Sequence, residues 1–230
     1  MLLVGLTGGI GAGKSTAGKL FAARGAVLVD ADQVARSVME PGGAAFDAVI
    51  ERFGESIVRT DTDRGRVIDR QALARQAFGD SDALADLERI VHPLVWDGVR
   101  HRLAAASRDA VAVIELPLLG REAATSGDGS GGIAAGPAPG ADYRDVPLPE
   151  GSLRWVVTVD CPTEVCIKRL VGGRGMTPEE AAARIAAQPS RDRRLRIADI
   201  VIENSAGMSH LETEVSRAWQ RIKSTAGPDL

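Results

Sequence analysis

The chain has little cysteine, histidine or aromatic side chain, and each scarcity excludes something. Two cysteines in 230 residues, Cys161 and Cys166, cannot make a disulfide framework. Three scattered histidines, His92, His101 and His210, give no zinc-ligand spacing. Aromatic residues are 3% of the chain, so the core has to be assembled from Val, Ile, Leu and Ala. No apolar run approaches the roughly 18 residues that a membrane span needs. The opening MLLVGLTGG has no basic segment ahead of it and is too short for a secretion signal. A formal charge of −3 gives no basic field for nucleic acid and no polybasic membrane patch. What these absences leave is a reduced, cytoplasmic, water-soluble protein with no nucleic-acid or membrane partner. Its length suits one large domain, or one core with appended subdomains.

What is present is a strong alternation. Five short apolar runs rich in β-branched residues read as buried strands: LLVGL (2–6), AVLVD (26–30), AVAVIEL (110–116), RWVVTVD (154–160) and DIVIE (199–203). Segments with helical periodicity lie between them, such as residues 14–25, with Gly25 as the stop. That pattern predicts an α/β protein with a five-stranded parallel sheet covered by helices on both faces, and ligands along the C-terminal edge of the strands. About 80 residues separate the second and third runs, too many for one crossover helix, so a helical subdomain is expected there. Residues 121–150 are rich in Gly, Ala, Pro and Ser without apolar period and read as a mobile insertion.

Directly after the first run stands GLTGGIGAGKST, residues 5–16. Gly8, Gly9, Ile10, Gly11, Ala12, Gly13, Lys14 and Ser15 fit the phosphate-loop pattern G-x-x-x-x-G-K-[ST] at every fixed position. Small residues let successive backbone amides turn inward and approach phosphate oxygens at a helix N-terminus. Lys14 is expected to reach the β- and γ-phosphates, Ser15 to hold Mg²⁺, and Thr16 to start the helix with its amide free. The loop implies a nucleoside triphosphate without choosing among kinase, motor and switch. A guanine-reading N/T-K-x-D element is missing after the late strands, which end in VDCP and IENSA.

Two aspartates, Asp30 and Asp32, stand where the second run ends, and Glu115 stands where the third does. A kinase needs a group beside the γ-phosphate that orients the acceptor hydroxyl or takes its proton. Either aspartate suits that role, and either also suits the cap of a helix beginning near residue 33. Glu115 is placed for the water shell of a magnesium ion, or as a plain strand-end charge.

The sequence resembles the dephospho-CoA kinases, P-loop kinases of the nucleoside monophosphate kinase type. The resemblance runs through GLTGGIGAGKST, VDADQVAR (29–36), IDRQALARQAF (68–78), LERIVHPLV (87–95), ELPLL (115–119), VVTVDCP (156–162), KRLVGGRGMTPEEAAARIAAQ (168–188) and ADIVIENSA (198–206). It implies a three-layer P-loop kinase fold that transfers the γ-phosphate of ATP, with Mg²⁺, to the ribose 3′-hydroxyl of dephospho-CoA, the last step of coenzyme A synthesis. The alternatives are another small-molecule or nucleotide kinase of the same core, and a GTPase switch. The implied domains are a P-loop core at 1–36, 106–170 and 195–230, a helical acceptor-binding subdomain at 37–105, and a lid at 171–194. Asp32 falls at the family's general-base position, and Lys14 and Arg174 join it as catalytic groups. Gly8, Gly9, Gly11, Ala12, Gly13, Lys14, Ser15 and Thr16 become the ATP site. Thr7, Asp32, Arg70 and His92 become the acceptor side, with His92 either touching the acceptor or filling a pocket at a helix turn. The chain departs from the family at Gly120-Arg121, where Phe-Glu is frequent, and at Cys166, where Gln is frequent.

The lid has its own local signals. Thr177, Pro178 and Glu180 spell a capping box after Gly172-Gly173-Arg174-Gly175, so a stiff helix on a glycine hinge is expected. Arg174 is the charge the lid brings; Arg169 and Arg191 are further candidates, while Arg193 and Arg194 read as a solvated surface.

Overall fold

The computed structural model describes residues 1–116 and 153–225, and the 121–150 insertion lies outside the described residues. They fall into two compact units, one containing Met1–Val29 and the described residues from Leu103 onward, the other Asp30–Arg102.

The first unit is built on the expected sheet. Strands β1 (Leu2–Gly8), β2 (Val27–Asp30), β5 (Val111–Glu115), β6 (Trp155–Asp160) and β7 (Ile200–Glu203) lie in the order β2-β5-β1-β6-β7, all parallel. Asp30, the last residue of β2, is counted with the second unit. The central strands are buried on both faces, which is why they read as continuous rather than alternating apolar runs. Register sets the site: Leu6 lies opposite Glu115 on one side, and Gly8 opposite Val159 on the other. Helix α1 (Lys14–Ala22) packs Ala17, Gly18 and Phe21 inward. Helix α9 (Met208–Ser224) buries Leu211, Val215, Ala218 and Ile222, an i, i+4, i+7, i+11 stripe. Phe21 meets Trp219 of that helix at 6.2 Å between ring centroids, tilted by 54°. Helices α6 (Thr163–Arg174), α7 (Pro178–Ala186) and α8 (Arg191–Arg196) follow β6.

The second unit is not purely helical, as the sequence pattern suggested. Helices α2 (Ala31–Val38) and α3 (Phe46–Phe53) lead through a short 3₁₀ turn into an antiparallel hairpin, β3 (Val58–Asp61) and β4 (Gly65–Ile68). Helices α4 (Arg70–Phe78) and α5 (Ser81–Ala104) follow. Asp61 holds the hairpin turn, accepting the amides of Asp63 and Arg64 at 3.1 and 3.2 Å. Helix α5 runs unbroken through Pro93, so His92 sits mid-helix and half-buried rather than at a turn. Proline there removes the amide that Arg89 O would accept, and exposure of Pro93 lets water serve that carbonyl. Among the described residues no helix is long and apolar enough to cross a membrane.

Candidate active site

The phosphate loop leaves β1 between β5 and β6 and turns into α1. Gly13 is the N-cap of α1 with φ 97° and ψ 21°, a left-handed conformation that strains any residue with a Cβ. A methyl there would also overlap the Asn204 side chain. Glycine is therefore required at this position by backbone and by contact. Three long-range contacts brace the loop. Asn204 Nδ2 donates to Ala12 O at 2.7 Å, and the amide of Ile10 donates to Gln188 Oε1 at 2.9 Å. Lys14 Nζ donates to Leu116 O at 3.0 Å, at the end of β5. Thr16 does not have the free amide expected of it, because the tight first turn of α1 brings that amide to Gly13 O at 3.1 Å.

Ser15 and Glu115 meet. The Ser15 hydroxyl donates to Glu115 Oε2 at 3.3 Å, and Glu115 is 4% exposed. Gly18, one turn further along α1, leaves room for that carboxylate: a Cβ at Gly18 would collide with Glu115 Oε1. Hydroxyl and carboxylate oxygens are the donors a hard cation such as Mg²⁺ takes. Among the described residues no cluster of three or more His, Cys, Asp or Glu could enclose a metal by itself. The pair thus fits a magnesium bound through one or two protein oxygens plus substrate phosphates, not a closed protein cage. Thr7, at the end of β1, is fully buried, and its Oγ1 has no hydrogen-bond partner among the described residues.

The two aspartates separate cleanly. Asp30 is the N-cap of α2, its carboxylate accepting the Gln33 amide at 3.0 Å. Asp32 lies in the first turn of that helix, which starts at residue 31, two residues before the expected start, and is half-buried. The helix places Arg36 four residues on, on the same face as Asp32. Arg70 is the first residue of α4, capped by Asp69. Partial desolvation, then the like charges of Arg36 and Arg64, hold its guanidinium below its ordinary pKa.

The family profile described as dephospho-CoA kinase matches residues 2–126 and 149–210. A dephospho-CoA kinase of Streptomyces avermitilis is 42% identical over 219 residues, covering 95% of this chain and 93% of that protein. One from Methylococcus capsulatus is 41% identical over 96% of each. The chain belongs to the dephospho-CoA kinase family. The crystal structure of a Thermus thermophilus protein superposes with a TM-score of 0.70 at 25% identity, over 97% of both chains. A dephospho-CoA kinase of Campylobacter jejuni shares the fold, with a TM-score of 0.61 at 20% identity over 97% of this chain and 98% of that one. The family match leaves out residues 127–148, inside the glycine-rich insertion.

Within this kinase family frame the arginines sort differently from the sequence reading. Arg194 is not a solvated surface group. It is 9% exposed, donates to Pro189 O, and its Nη2 would lie 3.0 Å from a Cβ at Gly9. Burial pushes its pKa down, although Asp160 opposes this. Arg169 Nη2 donates to Asn204 Oδ1 at 3.3 Å, so it braces the same bracket that holds Ala12. Arg191 is consumed by buried Asp160, with contacts of 2.9, 3.0 and 2.6 Å, and that carboxylate raises its pKa. Arg174 ends α6 and is exposed. Gly172 and Gly173 belong to that helix too, so only Gly175, left-handed at φ 64°, breaks the chain before α7. The capping box of Thr177 and Glu180 is present as spelled. Asn204 and Gln188 escaped the sequence reading, because their partners lie 192 and 178 residues away and nothing local marks them.

Cys161 and Cys166 are free and buried beneath the loop. Burial raises both thiol pKa values, that of Cys166 to about 12. They are inert packing groups rather than nucleophiles.

Proposed function

We propose that this chain transfers the γ-phosphoryl group of ATP to the ribose 3′-hydroxyl of dephospho-CoA, giving coenzyme A, in the cytoplasm. The observation that carries this reading is identity of 42% over nearly the full length of a dephospho-CoA kinase, with the phosphate loop inside the matched region.

The loop from Gly8 to Gly13 grips the triphosphate through its backbone amides, and the positive end of α1 adds to the attraction. Thr16 contributes through its position in the first turn. Lys14 gives up Leu116 O for the β- and γ-phosphates. Ser15, and Glu115 through water, would hold Mg²⁺, which would supply positive charge to offset that of the triphosphate. Asp32 orients the 3′-hydroxyl and accepts its proton; Asp30, already spent on its cap, does not. The buried, unpartnered Thr7 hydroxyl suits an acceptor-side contact, since leaving it unmade costs about 1–3 kcal/mol. Arg70 and His92 serve the acceptor from the second unit. Arg174 comes from the lid to stabilise charge on the transferring phosphoryl group.

The test is a reaction with ATP, Mg²⁺ and dephospho-CoA, its product located by phosphorus NMR. A new phosphomonoester at the 3′ position supports the reading. Phosphorylation elsewhere, or turnover with other acceptors alone, overturns it.

A further inference from the structure

The chain between α7 and α8 meets the phosphate loop through two side chains, and the loop motif requires neither. Gln188, half-buried, stands two residues past the end of α7. Its Oε1 accepts the Ile10 amide at 2.9 Å and lies 3.5 Å from where a Cβ of Gly9 would stand. Arg194 reaches the same point from α8, with its Nη2 at 3.0 Å. Nη1 of that guanidinium donates to Pro189 O, the carbonyl next to Gln188. The two side chains therefore form one wall against Gly9 and Ile10, and Gly9 lets them approach the loop backbone because it has no side chain of its own.

The charge on this wall is uncompensated. Arg194 is 9% exposed and forms no ion pair among the described residues. The nearby carboxylate of Asp160 is taken by Arg191, through contacts of 2.9, 3.0 and 2.6 Å. A buried cation without a partner is costly, and an arginine does not shed its proton to relieve the cost. A bound anion would relieve it. Gln188 is the neutral choice beside that cation. A glutamate has the same reach, would accept the Ile10 amide more strongly, and would neutralise Arg194. The chain thus carries the weaker acceptor at a position where the stronger one would cancel the charge.

We propose that Gln188 is a positioning residue for the phosphoryl donor: its carbonyl oxygen presets the loop through Ile10, and its neutrality leaves the Arg194 guanidinium free for a phosphate of the bound triphosphate. This rests on the ATP half of the function proposed above and not on the acceptor. Arg194 differs from exposed Arg174 in needing no movement to reach the loop. Its backbone amide donates to Ser190 O at 3.1 Å and its Nη1 to Pro189 O, so its charge is aimed at Gly9 before any ligand arrives. A group fixed in this way costs no reorganisation when the phosphate binds.

The test is calorimetry with ATP and, separately, GTP on the full chain, without acceptor, alongside thermal melting. The variants are Gln188→Glu, Gln188→Ala and Arg194→Gln. Gln188→Glu keeps the Ile10 contact and adds an ion pair to Arg194, so its Tm is kept or raised while ATP binds roughly tenfold to a hundredfold more weakly. Gln188→Ala loosens the loop but leaves Arg194 free, so ATP weakens by less. Arg194→Gln weakens ATP as much as Gln188→Glu does. A purely structural Gln188 gives the reverse order, with glutamate tolerated and alanine worse. That order, wild-type ATP affinity in Gln188→Glu, or wild-type affinity in a folded Arg194→Gln, overturns the inference. Where Arg194→Gln folds poorly, the order of the two Gln188 variants decides. A wild type that takes GTP and not ATP sinks the donor reading alone, and the same comparison then runs on GTP.

Discussion

Replacing Gly18 with alanine is expected to destabilise the protein, against the usual sign for such a change. In the middle of a helix, Gly→Ala normally stabilises by roughly 0.5–1 kcal/mol, through the entropy of the unfolded chain. Here the new methyl would collide with Glu115 Oε1 and stand 3.2 Å from Leu28 Cδ1. Leu28 is half-buried and can give way, but Glu115 is 4% exposed and packed on all sides. Its carboxylate must turn from Ser15, losing a hydrogen bond to a charged group worth about 1.5–3 kcal/mol. The loss exceeds the gain, leaving a net destabilisation of about 1–2 kcal/mol. That corresponds to a fall of about 2–8 °C in Tm for a chain of this size. Gly172→Ala is the control: it also lies in a helix, but a Cβ there meets nothing within 4 Å. It should stabilise by up to about 1 kcal/mol. Urea unfolding measures both signs, and the Mg²⁺ dependence of turnover reads the displaced carboxylate, which should require several-fold more metal. A Gly18→Ala protein as stable as the wild type, with unchanged Mg²⁺ dependence, would mean that the methyl does not displace Glu115.

Three other perturbations address the rest of the site. Asn204→Ala removes the donor to Ala12 O and the acceptor for Arg169, so stability should fall by about 1–3 kcal/mol and ATP should bind several-fold more weakly, both read by titration. Arg174→Lys keeps the charge but loses the planar fork, and turnover should drop by roughly 10³-fold or more; near-normal rates would remove Arg174 from the mechanism. The thiols should resist disulfide reagents at pH 8 in the native protein and react at once in urea. The folded state holds the Cys166 proton more tightly than the unfolded chain does. Its share of stability is therefore complete below the ordinary thiol value of 9.0 and is lost as pH climbs toward 12, which alkaline unfolding curves would show.

The sheet was legible because its central strands are buried on both faces, which makes runs such as VAVIE and WVVTVD almost continuously apolar up to their strand-end acids. The phosphate loop was legible because backbone geometry fixes its glycines and its Lys-Ser pair at set intervals. Asp30 and Asp32 could not be separated locally, since both suit a cap; the resemblance favours Asp32 for the acceptor, and the start of α2 at residue 31 makes Asp30 the cap. The hairpin β3–β4 was missed because its strands have four residues each and mix polar with apolar side chains, too short a pattern to tell from a loop. Gly172 and Gly173 were read as hinge residues because glycine has low helix propensity, yet α6 continues through both. Arg194 was read as surface because its neighbours in RDRRLR are charged. Its burial against Gly9 is a tertiary fact that no local pattern carries.

Asp32, and not Asp30, is proposed to carry the acceptor chemistry. Single-turnover rates of Asp32→Asn and Asp30→Asn at saturating ATP and dephospho-CoA test it most directly. A loss of roughly 10²- to 10⁴-fold is expected for Asp32→Asn with ATP affinity kept, and a far smaller loss for Asp30→Asn beside a weakened helix cap. An Asp32→Asn enzyme within tenfold of the wild type, or one faster than Asp30→Asn, would contradict it.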